Sequence, residues 1–299
     1  MKHRKRIGDD YMTSHSESIS NEEVKYYMDE ILKKVSRYII EIANKEEYGL
    51  LDNESLYICG LFFERFKIQF YSAHKLANEF TNDTNNNYEY LDIVSIEAIQ
   101  RTCYENYLLF NFLYLQKGQY MDIADKEDYL KELKFKLLLY KREGYLQNEL
   151  SLSTYLEQKK EATRFKRDIE KIIVSTSIYK NLNKERKKNL YKMWKPSWNE
   201  ISKGTILSEW YSKNMYNILS QNSHTSYVSL IKMDHHYRNL EEYDRDSMNL
   251  QLYILVTLYL EDLYRLLKFP KELFSLKELS LMGEFKLLAQ KNPNDINCN

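Results

Sequence analysis

Val94–Gln116 reads VSIEAIQRTCYENYLLFNFLYLQ, the most apolar stretch of the chain. At 100° per residue, Val94, Ala98, Leu108, Phe112 and Leu115 share a face with Arg101 and Glu105. The opposite side, with Ile99, Cys103, Tyr107 and Phe110, is apolar too. A helix that is greasy nearly all round belongs in an interior. Charges within it need a partner, and positions four apart on a helix can touch. The pattern therefore predicts a buried helix carrying an internal Arg101/Glu105 ion pair.

Working outward, the whole chain reads as helical. Only three prolines occur in 299 residues, at Pro196, Pro270 and Pro293, and the seven glycines stand singly. Since these residues break helices and make turns, their scarcity favours long helices over a sandwich or barrel. The expected fold class is all-α, a single multi-helix bundle. Residues 1–19 are polar and Ser-rich and are expected to be a disordered tail, with one helical domain over 20–292.

The first helix opens at Ser20, with Glu23 completing a capping box, and runs to about Asn44. A second is expected from Asn53, as its cap, to about Phe80. Thr81–Asn87 (TNDTNNN) reads as a loop, and the Arg101 helix follows from about Tyr88 to Gln116, stopped near Gly118. A fourth pattern over Leu130–Tyr140 ends before Gly144, and a fifth runs from Ser151 unbroken to about Tyr179. Further helices are expected at Asn183–Lys195, Leu207–Ser220 and Asp246–Lys268, the last at the core's centre. A final one has Pro270 in its first turn and reaches about Gln290.

Formal net charge is zero, which argues against a global pull toward polyanions. Its placement is uneven: Lys159–Lys195 holds thirteen Lys/Arg against four Asp/Glu. This stretch lies in a basic subregion, 141–204, expected to be solvated and protruding. Lys184, Arg186, Lys187, Lys188 and Lys192 are candidate nucleic-acid contacts, with Phe165, Tyr179, Tyr191 and Trp194 available to stack on bases. A solvated helix face is the plainer reading of the same charges. Twenty-seven tyrosines suit packing with a polar tip, and equally a compositional bias.

Cys59, Cys103 and Cys298 have no metal-ligand spacing, and reduced cysteines in apolar context suit a cytoplasmic location. The basic start Met1–Arg6 is followed by no apolar segment, so no signal peptide is expected, and Leu250–Leu260 is too short to span a membrane. His235 and His236 are adjacent and point about 100° apart, so no metal site and no cofactor is expected. His74 reads as a packing or hydrogen-bonding residue.

Two motifs carry chemistry. Arg101 can hold an anion, with Glu105 aiming it, or the pair can simply fix helix register. His224, flanked by Ser220, Ser223, Thr225 and Ser226, can exchange a proton near neutral pH, or serve as a helix-end hydrogen bonder. Arg101-Thr-Cys-Tyr-Glu105, with Trp210-Tyr211…Ser220-Gln-Asn-Ser-His224, resembles a broad uncharacterised all-helical bacterial family with an Arg-x-x-x-Glu helix and a later Ser-x-x-x-His motif. That resemblance implies a bundle in which Arg101, Glu105 and His224 meet. A looser resemblance is to HEPN-type helical ribonucleases of toxin and phage-defence systems, whose Arg precedes His by four to six residues on one helix. No Arg–His pair here has that spacing. The resemblance implies metal-independent RNA cleavage, with Arg101 on the phosphate, Glu105 orienting it and His224 as acid or base. The expected partners are RNA and a second copy of the chain. The alternatives are a non-catalytic module that binds a protein or nucleic acid, and a sensor holding a small anion at Arg101.

Overall fold

A computed structural model of the chain describes residues 20–45, 51–78, 81–83, 88–90, 92–151, 155–222 and 242–291. The described elements are almost all helical. They run α1 (Asn21–Ala43), α2 (Asn53–Asn78), an antiparallel pair of β1 (Thr81–Asp83) and β2 (Tyr88–Tyr90), α3 (Ile93–Tyr114), α4 (Lys126–Ser151), α5 (Leu156–Ser175), α6 (Ser177–Asn181), α7 (Lys184–Asn189), α8 (Trp198–Lys203), α9 (Glu209–Asn222), α10 (Glu242–Leu267), a 3-10 turn (Lys271–Leu273) and α11 (Leu276–Gln290). The chain is an all-α multi-helix bundle, as its composition indicates. The expected tail, 1–19, lies outside the described residues.

α3 is the hub, packed against α2, α4, α8, α9 and α10. From Tyr107 to Tyr114 only Leu109 keeps partial exposure. Phe110 stacks on Tyr259 of α10 with ring centres 4.7 Å apart, and Phe66 of α2 closes on the same ring at 4.4 Å. Such ring pairs add about 0.5–1.5 kcal/mol each beyond the area they bury. α10 shares the centre of the core with α3, with Leu252–Leu260 almost entirely buried.

Helix ends are set by caps, and several differ from expectation. Ser20 Oγ accepts from the Glu23 amide at 3.2 Å, one half of the expected capping box. Asp52, not Asn53, caps α2 through the Ser55 amide at 2.9 Å. α3 starts at Ile93, because Tyr88–Tyr90 pairs antiparallel with Thr81–Asp83 as strand and Asp92 accepts from the Ser95 amide at 3.1 Å. Tyrosine favours strands. α4 passes through Gly144 to Ser151. The cost of a helical glycine, about 1 kcal/mol, is met by packing on α5: Tyr145 stacks on Phe165 at 5.3 Å and Arg142 pairs with Glu170 at 2.9 Å. The fifth helix breaks at Thr176, which turns extended and caps α6 through Tyr179 N. Pro270 precedes the 3-10 turn, and α11 starts at a full capping box of Ser275 and Glu278.

A buried Glu132/Lys136 pair one turn apart on α4 closes the C-terminal end of α3. The Lys136 ammonium donates to Phe112 O at 2.9 Å and to Gln116 O at 2.5 Å, a cation on a helix C-terminus. Glu132 accepts from the amides of Gly118 and Tyr120 at 2.9 and 2.8 Å. Gly118 takes φ 73°, where a side chain would be strained, and turns the chain out of α3.

The basic subregion divides in two. Among the described residues 141–172, Ala162 alone is buried, so the α4–α5 hairpin projects. From Ile173 onward the chain folds back: Ile173, Ile178, Leu182, Leu190, Trp194 and Ile201 all join the core. The expectation of a protruding subregion over the whole of 141–204 is corrected here, because these apolar residues recur often enough to fix the backbone to the bundle.

Candidate functional site

Arg101 lies on the one open strip of α3, in its N-terminal half, where α9 covers one flank. Its Nε–H donates to Glu105 Oε1 at 3.0 Å and its Nη2 donates to the Tyr216 hydroxyl at 2.8 Å. The guanidinium carbon also stands 5.0 Å from the Tyr216 ring centre. The expected buried ion pair is corrected: the two side chains keep 21% and 27% of their exposure. α3 is apolar all round, but its neighbours surround only the C-terminal half completely.

The chain between α7 and α8 completes the cluster. Ser197 and Glu200 form a capping box that starts α8 and places Trp198 in its first turn. The Trp198 ring centre lies 6.5 Å from that of Tyr216, and the Lys195 ammonium lies 3.7 Å from the Trp198 ring centre. Two cations and two aromatic rings from four segments thus share one half-exposed patch with Glu105. Burial works against the Arg101 charge, but Glu105 and the Tyr216 hydroxyl more than offset it, and its pKa is raised. Burial lowers the pKa of Lys195, with Glu105 and Glu143 pulling the other way. Both groups are partly stripped of water, which strengthens their pull on an anion.

The cluster continues into the basic segment. Trp194, just before Lys195, is buried against Phe112 of α3 and Tyr140 of α4. Its carbonyl accepts a hydrogen bond from the Tyr120 hydroxyl, beyond the end of α3. Arg186 also acts on Tyr120 electrostatically. Trp194 and Lys195 therefore lie beside α3, between Phe112 and Glu105, directly after the basic α7 in the chain. Lys184, Arg186, Lys188 and Lys192 are exposed in this stretch, and Lys187 is half-buried, donating to Lys180 O at 2.7 Å. Of the aromatics expected to stack on bases, Trp194 is spent in the core. Tyr191 lies under Arg142 at 4.4 Å, Tyr179 under Lys187 at 5.5 Å, and Phe165 against Tyr145.

Arg101 and Glu105 are brought together; His224 lies outside the described residues, as do His235 and His236. Among the described residues no group of three His, Cys, Asp or Glu side chains has the geometry to hold a metal ion, and no helix is long and apolar enough to cross a membrane. A shallow depression of about 560 Å³ is lined by Lys117, Gly118, Asp122, Ile123, Lys126 and Tyr129. It sits past the far end of α3, which lies about 20 Å from Arg101 at 1.5 Å per residue. None of the cluster lines it, so it offers the anion-sensor reading no support.

Sequence reasoning missed Lys195, Trp198 and Tyr216 as site residues. The signals were present: Ser197-Trp-Asn-Glu200 is a helix start, and Tyr216 is an aromatic standing off the stripe of Tyr211, Met215 and Leu219. His74, by contrast, is buried and shares a 2.9 Å hydrogen bond with the Tyr253 hydroxyl, the structural role its sequence suggests. Comparison of the chain with protein-family models, with curated proteins and with solved structures gives no match.

Proposed function

We propose that this protein acts on RNA, binding a single strand across Arg101, Lys195, Trp198 and Tyr216, with the exposed lysines and arginines of α7 carrying the strand onward. One observation carries the reading: two partly desolvated cations converge on two adjacent aromatic rings, one of the cations following the basic α7 in the chain. Cations neutralise phosphates, and rings stack on unpaired bases, which together is how proteins hold single strands. The neutral overall charge fits a local track better than a protein coated in basic residues.

Cleavage is the finer part of the proposal. In it Arg101 binds the scissile phosphate, Glu105 holds Arg101 in place, and His224 takes the proton of the ribose 2′-hydroxyl as its oxygen attacks phosphorus, while the P–O5′ bond breaks and the 5′-oxygen leaves with a proton as a hydroxyl. No metal takes part, and a cyclic phosphate is left. The engagement of Arg101 by both Glu105 and Tyr216 favours a binding role in its own right, so binding and cleavage are tested separately.

Fluorescence anisotropy with labelled single-stranded RNA, titrated over a range of salt, tests the binding. Affinity should fall steeply with salt, and Lys184→Glu with Lys188→Glu, both exposed on α7, should weaken it and flatten the slope by about one per lost phosphate contact. Trp198→Ala should cost about 5–100-fold, from the worth of one base stack. RNA binding that is absent at low salt, or indifferent to these changes, overturns the proposal. Incubation of RNA with EDTA present, comparing the parent with His224→Ala, tests cleavage; equal products from both remove the catalytic part.

A further inference from the structure

α5 packs one side on its neighbours, through Ala162, Ile169 and Ile173, and turns the opposite side to solvent. Lys160, Arg164, Arg167 and Lys171 are exposed there, and at 100° per residue all four fall within about 40° of one line. The acids of the helix keep off that line: Glu157, Glu161, Asp168 and Glu170 lie about 60–100° round from Lys160. Among the described residues, Lys166 pairs with Glu149, Arg142 with Glu170, and Lys171 with Asp168. Lys160, Arg164 and Arg167 join no ion pair among those residues, so a stripe about 16 Å long carries positive charge that the fold does not neutralise.

No ring stands on this stripe. Phe165, the one aromatic residue of α5, is stacked on Tyr145. Cations without rings can contact phosphates but cannot hold unpaired bases. Such a surface gains most from a duplex, where each neutralised phosphate releases more counterion than on a single strand. Duplex RNA is likewise recognised through backbone and shape. The Arg101 cluster is built the other way, with two rings beside its cations. The two surfaces adjoin at the root of the hairpin. Arg142, paired with Glu170 of α5, stands 4.4 Å from the Tyr191 ring centre, and Glu143 acts electrostatically on Lys195.

We propose that the outer face of α5 binds duplex RNA. The inference rests on the reading of this protein as one that acts on RNA, and it names the substrate class: RNA whose duplex part continues into an unpaired strand. The duplex lies along Lys160, Arg164, Arg167 and Lys171, and the unpaired strand is held at Trp198 and Tyr216. Lys171, next to Glu170 at the root, is the end of the stripe nearest Lys195, so a strand leaving the duplex there enters the cluster.

Anisotropy of the full chain with a labelled single-stranded RNA, a blunt duplex and the same duplex carrying a single-stranded tail tests the surface. The tailed duplex should bind at least about tenfold tighter than the single strand, because its two parts are linked. Combining Lys160→Glu, Arg164→Glu and Arg167→Glu should remove that advantage and flatten the salt slope by about three. Single-strand affinity should stay within about threefold of the parent, and the thermal midpoint should not move, because all three side chains are exposed. Trp198→Ala should weaken the single strand and the tailed duplex alike and leave the blunt duplex unaffected. A tailed duplex no tighter than the single strand overturns the proposal, as does an advantage that survives the triple exchange. Binding of anionic phospholipid vesicles that the triple exchange abolishes, with no binding of duplex RNA, overturns it in favour of a membrane surface. Duplex binding that needs the stripe, without single-strand binding, supports the α5 surface and removes only the role given to the Arg101 cluster.

Discussion

Replacing Asp262 by Asn should stabilise this protein at neutral pH and leave it almost unchanged in acid. Asp262 is fully buried on α10. One carboxylate oxygen accepts from Asn111 Nδ2 at 2.6 Å, the Tyr107 hydroxyl lies close to the carboxylate, and the cation facing Oδ1, Arg265 Nη1, stands at 3.9 Å. Burial raises its pKa from 3.8 to about 6, with Asn111, Arg265 and the Tyr107 hydroxyl pulling back. The folded state therefore binds the proton more tightly than the unfolded chain. The associated stability is fully present below about pH 4 and is lost as pH rises through about 6. At 1.36 kcal/mol per unit, the ionised carboxylate costs the fold up to about 3 kcal/mol at neutral pH. Asn has the same shape, keeps an oxygen for Asn111 and carries no charge. The expected gain is about 1–3 kcal/mol at pH 7, shrinking toward zero by about pH 4. Urea unfolding of both proteins, followed by tryptophan fluorescence across that range, measures the difference directly. A variant less stable at neutral pH, or a difference that does not change with pH, refutes the reasoning.

Three further outcomes are expected. His74 is buried, and desolvation, helped by Lys25, lowers its pKa to about 4; its contribution is present above about pH 6.5 and is lost as pH falls through about 4. His74→Gln should remove that acid-side loss, worth up to about 3 kcal/mol, and acid titration by circular dichroism should show its unfolding shifted to lower pH. Lys136→Met should cost about 2–4 kcal/mol in urea unfolding, because it leaves the carbonyls of Phe112 and Gln116 without their donor and Glu132 without its neighbouring cation. Arg101→Ala should cost no more than about 1 kcal/mol in the same assay, since the pair stands at a wet edge, while weakening RNA binding at least fivefold.

The bundle was legible because it rests on two simple facts, few helix breakers and apolar spacing that repeats every three to four residues. The Arg101 helix itself was found, yet its start was misplaced by five residues, because Tyr88–Tyr90 is apolar enough to extend a helical pattern and only pairing with Thr81–Asp83 makes it strand. Gly144 misled in the opposite direction: a helix interior tolerates glycine when a second helix packs beside it, and partners of that kind are invisible in one chain segment. The site was half legible. Arg101 and Glu105 are four apart and declare themselves, whereas Lys195, Trp198 and Tyr216 come together only through the packing of α8 and α9 on α3. The buried Glu132/Lys136 pair had the same spacing as Arg101/Glu105 and lay within a charged-looking segment, so nothing local distinguished the interior pair from a solvated one.

That comparison gives the two pairs opposite meanings. Glu132 and Lys136 are both about 1% exposed and every one of their bonds goes to the backbone that ends α3, so they are explained by the fold they hold. Arg101 and Glu105 bond each other and a tyrosine side chain, at an edge where water competes, and the fold gains little from them. A charged pair that contributes little to stability can be removed without unfolding its surroundings. Loss of RNA binding in Arg101→Ala with an unchanged unfolding curve would therefore report on the contact itself. Had the pair been sealed inside, losing one partner would have cost about 3–5 kcal/mol, and no binding defect could have been told apart from a damaged core.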